Sequence, residues 1–188
     1  HSGVQKQNRR SDSVGYRPDL NSHTGMNIDF KPSEDSDKSE RYRLFLQHYA
    51  ALIEGERDEI SVMANTVAAL KEAFGFFWVG FYLVKSEQEL TLGPFQGSIA
   101  CYRIRKGRGV CGTAWEKACP LIVPDVDLFP GHIACSSESR SEIVIPIIYN
   151  KVIKGVLDID SDKADSFDET DRKGLEEMVN LMASTLYR

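Results

Sequence analysis

SEIVIPIIYNKVIKGVLDID, residues 141–160, is two apolar, β-branched runs separated by Asn150 and Lys151. Such runs read as strands, and the two-residue break between them predicts a tight antiparallel hairpin, although the turn pair lacks the usual glycine. On the second strand Asp158 and Asp160 lie two residues apart, so both carboxylates point to one face. A turn at 150–151 also brings Glu142 to the same end of the hairpin as that pair. Three acids gathered there could grip a cationic amine, or one could stay protonated because the others repel its charge. The bland alternative is that they are exposed strand-end solubilisers, which is how the following stretch SDKADSFDE reads.

Upstream, FFWVGFYLV (76–84) is nearly all apolar, bounded by Gly75 and KSEQE, and reads as a strand buried on both faces with ELTLGPF as its hairpin partner. Strand alternation puts Trp78 and Tyr82 on one face and Phe77 and Phe81 on the other, so one aromatic pair can line a pocket while the other packs in a core. QGSIACYRI predicts a short strand containing Cys101, GRGVCGTAWEKACP a glycine-opened helix stopped by Pro120, and LIVPDV (121–126) a strand. Two amphipathic helices precede these strands. The first starts near Ser39 with Tyr42, Phe45, Leu46, Tyr49 and Ile53 on its stripe and Gly55 as a stop; the second runs from about Asp58 to Phe74, with Ile60, Met63, Val67, Leu70 and Phe74 facing inward. A last helix carries Leu175, Met178, Val179, Met182 and Leu186, introduced by Ser166 and Glu169 at capping-box spacing. Helices at both ends of a run of hairpin-linked strands indicate an α+β domain whose antiparallel sheet is covered by helices on one face.

The chain has 188 residues, 41% of them hydrophobic and 10% aromatic, which suits one globular domain that needs no disulfide scaffold. Residues 1–35 are polar, without period, and too poor in apolar side chains to order themselves, so the domain is assigned to 36–188. Because the sequence opens on His1, this tail reads as a processed or added segment, with Met26 a candidate native start. The formal net charge is −5 and the nearest basic cluster is the short run RIRKGR (103–108), which argues against a nucleic-acid partner. No apolar run reaches the roughly 18–20 residues of a membrane helix, and no secretory signal is visible. The four cysteines show neither C-x-x-C spacing nor a disulfide-dense pattern, which fits a reducing, cytoplasmic compartment.

All four, Cys101, Cys111, Cys119 and Cys135, fall within residues 101–135. Cys135 sits in the polar loop GHIACSSESRSE, where small neighbours leave it accessible. A nucleophilic cysteine must be a thiolate, and His132 and Arg140 are close enough in sequence to lower its pKa. A sulfenic acid formed there would need a second thiol for rescue, and Cys101, Cys111 and Cys119 are all candidates. The same cysteines also read as small packed hydrophobes. One His and scattered cysteines do not give zinc-ligand spacing, so no metal is expected.

From Phe76 onward, the motifs FFWVGFYLV, LTLGPFQGSIACYRI, GRGVCGTAW, VPDV, ACSSESRSEIVIPI and GVLDIDS closely resemble the GAF-domain free methionine-(R)-sulfoxide reductases, and the helical segment from Ser39 also fits. The resemblance implies a single GAF domain, with terminal helices on one face of the central sheet and active-site loops on the other. It implies that Cys135 attacks the sulfoxide sulfur, releasing methionine and leaving a sulfenic acid that Cys101 resolves as a disulfide. Thioredoxin or a similar dithiol donor then restores the enzyme, and no other cofactor is needed. Cys111 matches a third family cysteine with a supporting or alternative resolving role, and Cys119 has no family role and is treated as structural. Glu142, Asp158 and Asp160 match acids that bind the substrate amine and help protonate the departing oxygen, while Trp78 and Tyr82 match aromatics that hold the methyl-sulfinyl end. Related GAF domains often dimerise through their helices, which makes a homodimer an expectation.

The competing class is a non-enzymatic GAF sensor of a small molecule or cyclic nucleotide. Asn150, Lys151, Phe167 and Asp171 faintly resemble a cyclic-nucleotide signature, but Arg172 stands where that pattern wants an acid. A third reading, a peroxide-reducing thiol protein, uses Cys135 and Cys101 but leaves the acids unexplained.

Overall fold

A computed structural model describes residues 29–188 apart from positions 32, 34 and 134. The expectation for residues 1–28 therefore lies outside the described residues. The elements run α1 (Lys38–Ile53), α2 (Glu59–Phe74), β1 (Trp78–Val84), β2 (Glu89–Gln96), β3 (Arg103–Arg105), α3 (Gly109–Lys117), β4 (Leu121–Val123), β5 (Ser141–Tyr149), β6 (Val152–Ser161) and α4 (Glu169–Leu186). The six strands form one antiparallel sheet in the order β3-β2-β1-β6-β5-β4.

The β5–β6 hairpin turns where the sequence predicts. Tyr149 pairs with Val152, and both Asn150 and Lys151 take positive φ (49° and 64°), the conformation that a two-residue hairpin of matching twist demands. Asparagine enters this left-handed region more easily than most residues, which explains a tight turn without glycine. Period two then divides the side chains. Ile143, Ile145, Ile147, Leu157 and Ile159 join Val79 and Phe81 of β1 in a core under α1, α2 and α4. Val144 and Val156 face the other way and pack with Trp78, Tyr82 and α3. The helices thus cover one face, while α3 and the loops cover the other.

The helical layer is closed by polar contacts between α1 and α4, the first of them buried. Tyr42 of α1 donates its hydroxyl to Asp171 of α4 at 2.9 Å, and Lys38 reaches Asp171 and Asp168 at 2.7 and 3.0 Å. Phe30, just before α1, packs on Phe45 with ring centroids 5.3 Å apart. Among the described residues, no helix is long and apolar enough to cross a membrane.

Several local expectations are corrected. Cys101 lies in the loop before β3 and not within a strand; β4 ends at Val123, and a 3-10 turn (Val126–Leu128) follows it. The α4 capping box is made by Asp168 and Asp171, because the helix begins at Glu169, later than Ser166 would start it. Ile60 is 67% exposed, since it sits in the first turn of α2 on the outer side; Met63, Val67 and Leu70 face inward as expected, joined by Val62 and Thr66.

α1 packs tightly on α4 at Gly174, where an added Cβ would sit 2.3 Å from the Tyr42 ring. Tyr42 cannot retreat, because it stacks on Phe74 at 4.5 Å and is bonded to Asp171. Alanine would gain about 1 kcal/mol in helix propensity, but overpacking costs about 1–3 kcal/mol. Gly174→Ala is therefore expected to lower stability in urea denaturation, despite placing a better helix former in mid-helix.

Candidate active site

The β5–β6 register sets the acids. Glu142 pairs with Asp160, and Val144 with Asp158, so all three carboxylates reach the same face at one end of the sheet. There they meet Cys111 of α3, Trp78 and Tyr82 of β1, and the loop carrying Cys135, around one small cavity. Its free space is about 40 Å³, room for a few waters.

Cys101 and Cys135 are joined as a disulfide across the mouth of this cavity, with Cα atoms 5.6 Å apart. Of the two, Cys135 lines the cavity. Cys111 is a free, buried thiol whose Sγ lies 3.9 Å from Glu142 Oε1, while Cys119 is free and half-buried. Burial, and then the charges of Asp158 and Glu142, push the Cys111 thiol well up, so it stays protonated at neutral pH.

The aromatics are placed as alternation predicts, and they also hold the cysteine loop. Trp78 donates from Nε1 to the Ser98 carbonyl at 2.9 Å, and Tyr82 donates its hydroxyl to the Cys101 carbonyl at 3.0 Å. Trp78 stacks against Phe95 and lies across Gly97, where φ is +137° and a Cβ would come 2.4 Å from the indole. Phe77 precedes β1 and packs on the cavity side, whereas alternation had placed it with Phe81.

Glu142 and Asp158 are 6% exposed. Burial, and then the charge of Asp158, drive Glu142 well above the usual carboxyl range; burial also raises Asp158, an effect that Glu142 and Cys111 beside it offset only in part. Asp160 is also raised well above its usual range, by burial and then by Asp158. Asp158 Oδ1 is buried without a hydrogen-bond partner. His132 Nε2 lies 3.9 Å from Glu142 Oε2, and Ser139, Arg108 and Ile133 complete the wall. Cys111, Glu142 and Asp158 also place ligand-type atoms within 4.8 Å of one another, a grouping that sequence spacing did not suggest.

The GAF domain model matches residues 56–186. GAF domain-containing protein A of Dictyostelium discoideum is 60% identical over 145 residues, 77% of this chain and 92% of that protein. The free methionine-R-sulfoxide reductase of Escherichia coli is 44% identical over 156 residues, covering 80% of this chain and 94% of that one. The chain belongs to the GAF-domain free methionine-(R)-sulfoxide reductase family. The structure of the Neisseria meningitidis free methionine-R-sulfoxide reductase in complex with its substrate superposes with a TM-score of 0.79 at 49% identity, over 82% of this chain and 93% of that chain.

All eight side chains singled out in the sequence meet here except Cys101, which closes the mouth from outside the lining. His132 was visible only as a neighbour of Cys135, and Arg140, its companion in that expectation, is exposed and does not line the cavity. Ser98, Arg108 and Ser139 carried no signal, since single polar loop residues become lining only once the loops fold over the sheet. The cyclic-nucleotide-like quartet does not assemble: Asn150 and Lys151 form the hairpin tip, Phe167 lies in the core under the helices, and Asp171 is bonded to Lys38 and Tyr42.

The raised acids carry a stability signature. A carboxyl whose folded-state pKa exceeds its unfolded value contributes stability at pH below the unfolded value, and that contribution is lost as pH rises towards the folded value. For Glu142 the loss begins above its ordinary 4.5. Urea denaturation is expected to show stability falling from pH 5 upward, with a shallower fall in Glu142→Gln.

Proposed function

We propose that this chain reduces free methionine-(R)-sulfoxide to methionine, with Cys135 as the nucleophile and Cys101 as the resolving thiol. The observation that carries this reading is the Cys101–Cys135 disulfide across the mouth of a cavity lined by three buried acids and two aromatics. Cys135 is favoured over Cys101 because it lines the cavity, and over Cys111 because that thiol is held protonated.

In the reduced enzyme the Cys135 thiolate attacks the sulfoxide sulfur. A proton from Glu142 goes to the sulfoxide oxygen; as that oxygen passes to Cys135 the S–O bond to methionine and the transient bond between the two sulfurs both break, leaving a Cys135 sulfenic acid and free methionine. The Cys101 thiol then displaces that oxygen as water and forms the disulfide. Two electrons and two protons from thioredoxin or a similar dithiol restore both thiols. Asp158, with its unpartnered Oδ1, takes the substrate ammonium, and Asp160 supports it. A residue inside a peptide lacks that ammonium, which accounts for selectivity for the free amino acid. Trp78 and Tyr82 receive the methyl-sulfinyl end, and Cys111 beside Glu142 helps to hold that acid.

Turnover is measured with both epimers of free methionine sulfoxide and with a peptide-bound sulfoxide. Only the free R form is expected to be consumed. Cys135→Ser should abolish turnover, and Cys101→Ser should release one equivalent of methionine and stop; multiple turnovers by Cys135→Ser would overturn the assignment.

The disulfide holds the Cys135 segment against a cavity with only about 40 Å³ of free space, and opening that bridge would let the segment withdraw and widen it. By calorimetry, methionine, which does not react, is expected to bind the dithiothreitol-reduced protein at least about tenfold more tightly than the oxidised one.

A further inference from the structure

We propose that the exposed apolar rim around Cys101, with the cationic run that follows it, is the docking surface for the dithiol protein that reduces the Cys101–Cys135 disulfide. The incoming thiolate attacks Cys101. This rests on the reductase reading above and names the surface through which that reaction is completed.

Ile99 and Tyr102, on either side of Cys101, are 88% and 75% exposed, and Ile133, two residues before Cys135, is 40% exposed. Large apolar side chains bracketing a reactive group make a patch that is better covered than left in water. Ile99 and Ile133 both stand at the cavity mouth, so the rim closes around the disulfide itself.

Charge narrows the partner. The chain carries a net charge of −5, yet residues 98–108 contain four cations, Arg103, Arg105, Lys106 and Arg108, and no acid. All four are exposed; Glu89, opposite Arg105 across β2 and β3, and Glu116, whose carboxylate lies over Gly107, offset part of that charge and leave the run net cationic. The complementary surface is an apolar collar around an accessible thiol with an acidic margin. Complementary charges of this kind steer encounter and fix register.

The direction of attack follows from which sulfur faces inward. Cys135 lines the substrate cavity, whereas Cys101 lies outside that lining between the exposed Ile99 and Tyr102, so a partner seated on this rim meets Cys101 first. The Tyr82 hydroxyl bond to the Cys101 carbonyl holds that segment in a fixed presentation. Attack on Cys101 breaks the S–S bond, expels Cys135 as a thiolate into the cavity, and leaves a mixed disulfide between the donor and Cys101. The donor's second thiolate then displaces Cys101, so the donor leaves as a disulfide and both enzyme thiols are restored.

The test compares purified thioredoxin with dithiothreitol as reductant for turnover of free methionine sulfoxide. Tyr102→Ala and the double variant Arg103→Glu/Arg105→Glu change residues that do not line the cavity. Each is expected to raise the KM for thioredoxin about tenfold, with dithiothreitol-driven turnover within about twofold of wild type. Wild-type kcat/KM for thioredoxin should fall with added salt, and the double variant should lose that dependence. An unchanged thioredoxin KM, or an equal fall with both reductants, would overturn the docking surface. Thioredoxin lacking its second active-site cysteine should be trapped on Cys101; capture on Cys135 would overturn the direction of attack. If wild-type protein reduces no free methionine sulfoxide even with dithiothreitol, the reductase reading itself fails, whatever the variants do.

Discussion

The register of β5 against β6 is the constraint on which the rest depends. With Glu142 opposite Asp160 and Val144 opposite Asp158, the acids share a face, and the isoleucines between them face the helices. A slip of one residue would drive the carboxylates into the apolar core and the isoleucines into the cavity, reversing both burial terms at once. The positive-φ turn at Asn150 and Lys151 and the isoleucine rows under α4 hold the same register from opposite directions.

That register gathers acids that would otherwise repel. Buried carboxylates near one another cannot all ionise, so the cluster keeps protons and waits for a cation. Around it lie His132 and the Cys111 thiol. Such a site is costly when empty, and a cation entering it would relieve that cost. The thiol of Cys111 belongs to this electrostatic group more than to the redox pair, because burial and the acids both suppress its thiolate.

The aromatic residues of β1 couple the rigid sheet to the reactive loop. Trp78 and Tyr82 rise from the middle of the sheet and donate to carbonyls at 98 and 101, so the segment bearing Cys101 is anchored to the same strand that walls the cavity. The Cys135 segment reaches the disulfide from the β5 side, with His132 beside Glu142. The redox bond therefore bridges the two loops that flank the pocket.

Much of this was legible before any coordinates. Period two placed Trp78 with Tyr82 and Asp158 with Asp160, the helical stripes predicted the layer above the sheet, and the motif resemblance named the family and the cysteine pair. These are local properties: alternation, periodicity and turn chemistry act over a few residues. The misreadings at Cys101, Ile60 and the α4 cap were also local, at element ends, where neighbouring residues compete for a boundary. The sequence by itself determined the elements, their buried faces and the chemical types available at the site. Only the tertiary structure decided that Cys135 lines the cavity while Cys101 closes it from outside, that Cys111 is silenced by acids from two other strand positions, and that His132 joins them. Those relations depend on long-range packing of loops against a sheet, and a desolvation or a sulfur–sulfur contact between segments 34 residues apart exists only once that packing is made.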